Sequence, residues 1–206
     1  ESKKAAVANY AAEIAKQLGT GQAAEHAYRP ALKNLVEELA SVDVVNDPKR
    51  SEFGAPDFVF LRRKEENSIL GWAETKDLQL DLNKVEKSEQ LQRYTGYPNL
   101  FLTNYLEFRF YGDGHRYAEV TIGGLSDGSI EFHDANYQAL ADELVQFMDR
   151  KPQPISSGVR LAEIMGAKAR RIRHNVEQYL IVGDERTEEL LSIFRLIREN
   201  LVHDID

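Results

Sequence analysis

Pro56-Asp57-Phe58-Val59-Phe60 and Trp72-Ala73-Glu74-Thr75-Lys76 are the two stretches on which the reading of this chain turns. Each joins an acid to one end of a strongly apolar run, Phe58–Leu61 in the first and Ile69–Ala73 in the second. Short runs rich in aromatic and β-branched residues, bounded by Gly, Pro and charged breaks, read as strands. Asp57 then opens one strand and Glu74 closes the next, so pairing the two brings both acids to one end of a sheet. Alternate residues of a strand share a face, which puts Glu74 and Lys76 together and sends Thr75 to the other side.

Upstream, residues 3–18 are rich in alanine and carry Tyr10, Ile14 and Leu18 four apart, with Gly19 as a stop, the pattern of an amphipathic helix. A second helical pattern runs to about Ala40 through Leu32, Leu35, Val36 and Leu39. Pro30 either opens that helix as a first-turn residue or kinks a longer one. Val42–Val45 adds a strand, making a three-strand meander with the two runs above. Downstream, a polar amphipathic helix is expected from about Lys84 to Tyr94, then strands at Asn99–Thr103, Glu107–Tyr111 and Tyr117–Ile122, with Gly112-Asp113-Gly114 as a hairpin turn. Asp134–Arg150 is helical, with Tyr137, Leu140, Leu144, Val145 and Met148 facing inward. The class is α/β (α+β): a central mixed sheet flanked by helices, filling residues 1–150. The two prolines and the Ser-Ser-Gly of Lys151–Gly158 end it, and residues 151–206 read as a linker followed by a helical extension.

The chain has 206 residues and no cysteine, so thiolate metal sites, disulfides and a cysteine nucleophile are excluded. Hydrophobic residues make up 42% and charged residues 29%, an ordinary balance for one globular core. No apolar run approaches the roughly 18 residues that span a bilayer. With no charged-then-apolar leader, a cytoplasmic location and no membrane partner are expected. The first residue is not methionine and the last follows an apolar stripe with no cap signal, so a segment of a longer protein is expected. A net charge of −8, from 26 basic and 34 acidic residues, opposes long-range attraction to nucleic acid.

Two carboxylates and a lysine on one sheet edge suit phosphodiester hydrolysis. That reaction needs a nucleophilic water, neutralisation of charge on the phosphate, and help for the departing oxygen. Asp57 and Glu74 would hold a hard divalent ion. Lys76 could orient and help deprotonate the attacking water, or stabilise the charge that grows on phosphorus. In the following helix Gln90 and Tyr94 stand at i and i+4, an amide and a phenol on one face suited to phosphate or metal-water contacts. Upstream, Glu25 in Glu25-His26-Ala27-Tyr28-Arg29-Pro30 supplies another acid. His26, His115, His133, His174 and His203 have no metal-ligand spacing and read as surface or packing residues. Trp72 reads as core.

In order and content these motifs resemble the RecB-like branch of the PD-(D/E)xK nucleases: a helix acid, an Asp, a Glu-x-Lys and a Gln-x-x-x-Tyr. Glu25, Asp57, Glu74 with Lys76, and Gln90 with Tyr94 would fill those places, over roughly residues 20 to 110. The resemblance implies Asp57, Glu74 and Glu25 as metal ligands, magnesium as the ion with manganese as a substitute, and double-stranded DNA as substrate. More narrowly, Glu25–Leu32 and Gly54–Phe58 are similar to the amino-terminal nuclease of single-chain restriction–modification fusions. Such a fusion carries a helical connector, an adenine-N6 methyltransferase using S-adenosylmethionine and a target-recognition domain. Residues 156–206 would be the connector, and the other two domains would lie elsewhere in the parent chain.

The one concentrated basic stretch holds Arg160, Lys168, Arg170, Arg171, Arg173 and His174. Arg170, Arg171 and Arg173 either touch DNA phosphates or form a solvated face against an acidic neighbour. Two functions of different class compete: a metal-dependent endonuclease serving as the cleavage module of a restriction–modification enzyme, and a non-catalytic DNA-binding or interaction module that keeps the nuclease fold. A purely helical adaptor is disfavoured by the apolar strands between 42 and 122.

With −8 of charge and no base-reading device in sight, residues 1–206 alone are expected to bind DNA weakly and cut it slowly without sequence preference. Comparing this chain with a longer polypeptide on plasmids at fixed salt checks it; tight site-specific cutting by residues 1–206 would show that the recognition function lies here.

Overall fold

The computed structural model of the chain describes residues 2–49, 54–63, 68–94, 96–150 and Gly166. It divides into two compact units, Glu1–Ile155 and Ser156–Asp206. The Lys151–Gly158 boundary, the helical extension and the basic stretch with Arg170, Arg171 and Arg173 lie outside the described residues.

α1 (Lys3–Gly19) is capped by Ser2, whose side chain accepts from the Ala5 N–H, and buries Val7, Tyr10 and Ile14. α2 (Arg29–Leu39) starts after a 3₁₀ turn at Glu25–Tyr28. Pro30 sits in its first turn, so it opens the helix, as its missing N–H allows there. β1 (Val42–Asn46), β2 (Phe58–Arg62) and β3 (Ile69–Thr75) form the expected antiparallel meander.

The expected helix from Lys84 to Tyr94 is two: α3 (Leu82–Val85), capped by Asp81, and α4 (Glu89–Tyr94). Ser88 makes the break, since its hydroxyl accepts from the Leu91 N–H as a new helix start does. These two helices carry the chain to β4 (Asn99–Thr103), which runs parallel to β3, and β5 (Glu107–Gly112) and β6 (His115–Thr121) add antiparallel strands. The result is a six-stranded mixed sheet in the order β1-β2-β3-β4-β5-β6. Asp113 and Gly114 both have positive φ, the geometry of a tight hairpin.

A second hairpin, β7 (Gly123–Ser126) and β8 (Ser129–Phe132), was not foreseen. Its turn, Asp127-Gly128, also has positive φ at both residues. A 3₁₀ turn at Asp134–Asn136 leads into α5 (Tyr137–Asp149).

Strand alternation divides the apolar residues between two faces. Phe58, Phe60, Ala73, Phe101, Phe108 and Phe110 join the buried residues of α1, α2 and α5 in the larger cluster. Leu100, Leu102 and Tyr111 meet Leu82, Leu91, Tyr94 and Tyr97 on the side of α3 and α4. Trp72, half-buried, packs on this smaller cluster with its ring 4.3 Å from that of Tyr97. Arg109 on β5 ties α3 down, reaching Glu86 at 2.6 Å and Asn83 at 3.0 Å. Among the described residues no helix is long and apolar enough to cross a membrane.

The seat of α5 on the sheet leaves no room at Gly71. A Cβ there would stand 2.6 Å from Phe147 Cζ and 2.9 Å from Asn99 Nδ2, the amide that bonds both Leu70 O and Phe147 O. Gly71→Ala should therefore lower stability by about 1–3 kcal/mol in urea melts. Gly124→Ala, where a Cβ meets nothing within 4 Å, should change it by less than about 0.5 kcal/mol. Equal effects would mean that the packing of α5 on the sheet is wrong.

Candidate active site

Phe58 pairs with Ala73, so one step further along the antiparallel ladder Asp57 stands opposite Glu74. The two acids leave the sheet at the same end, where β3 has the parallel strand β4 beside it and Lys76 N–H still bonds Thr103 O at 2.9 Å. Period-two geometry does the rest. Lys76 Nζ lies 2.6 Å from Glu74 Oε1, on the face covered by α4.

Gln90 and Tyr94 both reach this point from α4. Gln90 Nε2 donates to the same Glu74 oxygen at 2.9 Å, and Gln90 Oε1 accepts from Lys76 at 3.2 Å. Tyr94 acts differently: its OH is 3.3 Å from Gln90 Nε2 and donates to Ala55 O at 2.9 Å, which pins the loop that carries Asp57. Gly54 allows this contact. Its φ is +117°, and a Cβ there would come within 2.7 Å of the Tyr94 ring.

Asp57 has partners that the sequence reading did not anticipate. Its Oδ2 accepts from both the backbone N–H and the hydroxyl of Thr75, each at 2.7 Å. Its Oδ1 accepts from Arg29, a buried residue that also reaches Asp47 at 2.9 Å. Thr75 does face away from Glu74 and Lys76, as expected, and what it meets there is this second set. The signal for Arg29 was present: it falls on the α2 stripe with Leu32 and Val36, and a charge at a core position calls for an acid partner.

Glu25 starts the 3₁₀ turn, and its backbone carbonyl accepts from the Tyr105 OH at 2.9 Å. Burial raises the Tyr105 phenol well above its usual pKa, and the charges of Asp57 and Glu25 act in the same direction, against Thr75 and Arg29. Glu25 is thus a neighbour of Tyr105. Among the described residues no three His, Cys, Asp or Glu side chains gather in a group that could hold a metal, so Glu25 does not join Asp57 and Glu74 in one three-acid set. His26, His115 and His133 are exposed.

Glu74 is a perturbed carboxyl. It is 3% exposed, and its Oε2 is buried without a hydrogen-bond partner. Burial raises its pKa to about 7, with the Asp57 charge adding and the Lys76 cation opposing. A bare carboxyl oxygen beside a second carboxylate is an environment that a hard cation would relieve, so these residues fit a divalent ion.

No protein-family model matches the sequence, and no curated protein does. Its fold has a solved counterpart: a chain in the cryo-electron-microscopy structure of the DrdV–DNA complex, with a TM-score of 0.57 and 18% identity, over 72% of this chain and 99% of that one. The likeness is one of fold.

The raised pKa of Glu74 sets a pH dependence in the absence of metal. The folded protein holds a proton up to about pH 7 that the unfolded chain releases near 4.5, so stability should fall as pH rises between those values. The loss is on the order of 3 kcal/mol. Urea melts in EDTA from pH 4.5 to 8 should show it in the wild type and not in Glu74→Gln; a parallel profile in both would refute the assignment. Asp57→Ala should lower stability in the same melts by about 1–3 kcal/mol, because it takes from the buried Arg29 guanidinium one of its two acid partners and leaves it Asp47.

Proposed function

We propose that this chain is a metal-dependent endonuclease domain of the PD-(D/E)xK kind that hydrolyses DNA phosphodiester bonds. The observation that carries the proposal is the meeting of Asp57 and Glu74 at one sheet end, with Lys76 and Gln90 bonded to Glu74 and one Glu74 oxygen bare. DNA as partner draws support from the fold shared with a chain of the DrdV–DNA complex. The parent protein would be a restriction–modification enzyme of which this is the cleavage module, with the connector in residues 151–206. Its methyltransferase, the user of S-adenosylmethionine, and its target-recognition domain would lie elsewhere in that chain.

Asp57 and Glu74 would hold magnesium, or manganese in its place. Such an ion supplies a water acidic enough to attack and neutralises charge on the phosphate. The residues of the chain prepare for this. Gln90 and Lys76 both occupy Glu74 Oε1, which fixes the carboxyl plane and leaves Oε2 for another partner. Thr75 fixes Asp57 through two hydrogen bonds to one oxygen, and Tyr94 steadies the loop before it. Lys76, held between Glu74 and Gln90, is placed to orient the attacking water, or to meet the negative charge that builds on the phosphate oxygens.

Plasmid nicking under magnesium or manganese titration tests the proposal. Lys76→Ala and Glu74→Gln should each lower the rate by two orders of magnitude or more, on the scale of lost charge stabilisation at a reacting phosphate. Gln90→Ala and Tyr94→Phe should lower it less, since both act through other residues. Calcium should not support appreciable cutting, and EDTA should stop it. Full activity in Lys76→Ala would remove the site from the mechanism, and a folded wild type inert under every ion would favour a non-catalytic DNA-binding module.

A further inference from the structure

We infer that Arg29 is the resident cation of the Asp57 carboxylate, a positioning residue that competes with a divalent ion for Asp57 while Asp47 draws part of it away. The inference rests on the reading of Asp57 and Glu74 as the ion-holding pair.

Arg29 is 7% exposed, in the first turn of α2, with its guanidinium carbon 6.0 Å from the centre of the Phe58 ring. One terminal nitrogen bonds Asp57 Oδ1 and the other bonds Asp47 Oδ1 at 2.9 Å. The fork therefore bridges two acids instead of closing on one. Its Nε is buried with no partner, so the group is held by these two contacts and by the ring.

Asp57 consequently has no idle oxygen. Oδ2 is taken by Thr75 and Oδ1 by Arg29, whereas Glu74 keeps Oε2 bare. A divalent ion meets Glu74 freely but must share Asp57 with a fixed positive charge. Two cations on one carboxylate in a poorly solvated site repel strongly.

Asp47 moderates that competition. Its side chain is largely exposed, while its backbone N–H bonds Asp57 O at 2.9 Å and its φ is +48°. The backbone thus anchors Asp47 beside Asp57, where its carboxylate pulls one arm of the fork toward solvent. Without that pull, Arg29 would rest on Asp57 alone.

A residue that only buttressed the fold would loosen Asp57 when removed and weaken ion binding. Competition gives the opposite sign. The test is the dissociation constant of Mn²⁺ alone, by electron paramagnetic resonance, for residues 1–206 at one pH and salt concentration. Arg29→Met should bind Mn²⁺ tighter by roughly tenfold or more, and Asp47→Asn should bind it more weakly. Unchanged or weaker binding by a folded Arg29→Met overturns the inference, as does unchanged or tighter binding by Asp47→Asn. Melts in EDTA report whether Arg29→Met folds; if it does not, Asp47→Asn decides, because its changed side chain is exposed. Mn²⁺ bound by Arg29→Met and not by the wild type supports the inference. No binding by either overturns it together with the ion-pair reading. Wild-type binding that survives both Asp57→Asn and Glu74→Gln also overturns both. Wild-type binding lost in those two variants and unaltered in Arg29→Met overturns the Arg29 inference alone.

Discussion

Two carboxyl-bearing residues set opposite one another in backbone register at the end of a buried sheet are the constraint around which the rest of this protein is arranged. Like charges in a poorly solvated place repel, and each must be neutralised, protonated or bonded. The chain treats the two differently. Asp57 receives Arg29 and two donors from Thr75, while Glu74 receives Lys76 and Gln90 on one oxygen only. The outcome is an asymmetric pair, and burial pushes the Glu74 member toward neutral pH. A buried carboxyl pushed far from its ordinary range is a mark of a working site.

The architecture serves that asymmetry. The antiparallel β2–β3 register sets Asp57 opposite Glu74, and the parallel step to β4 requires a crossover, which brings α4 with Gln90 and Tyr94 over the Glu74 face. α2 comes from the other side with Arg29. Because both faces of the sheet are packed, with Phe60, Phe101 and Phe147 on one and Leu100, Leu102 and Tyr97 on the other, the acids stand on a rigid base.

Much of this was legible from residue pattern. The strands at Phe58–Leu61 and Ile69–Ala73 announce themselves by apolar content, and Glu-x-Lys at a strand end can have only one facing. Gln90 and Tyr94 are helix neighbours whether or not the helix extends upstream, so the Ser88 break did not disturb them. What sequence spacing could not give is partnership across the fold. Thr75 looked like a spectator because alternation turns it away from Glu74, yet its N–H and hydroxyl meet the Asp57 side chain. Asp47 is an exposed loop acid in sequence, and only the β1–β2 pairing brings it to Arg29. The β7–β8 hairpin escaped because its strands are short and carry four glycine or serine positions, leaving Asp127-Gly128 as the sole local sign.

Electrostatics also separates what this chain can do from where it does it. The fold concentrates acids at its site, and the whole chain carries −8, so attraction to a polyanion has to come from a bound cation and from basic residues elsewhere. That makes ion occupancy the central claim. The most direct measurement is anomalous diffraction at the manganese edge from crystals of this chain grown with Mn²⁺. The expected result is a peak within bonding distance of the Asp57 and Glu74 carboxylates, lost in crystals of Glu74→Gln. A peak seated on other residues, or none at this pair under saturating Mn²⁺, would contradict it.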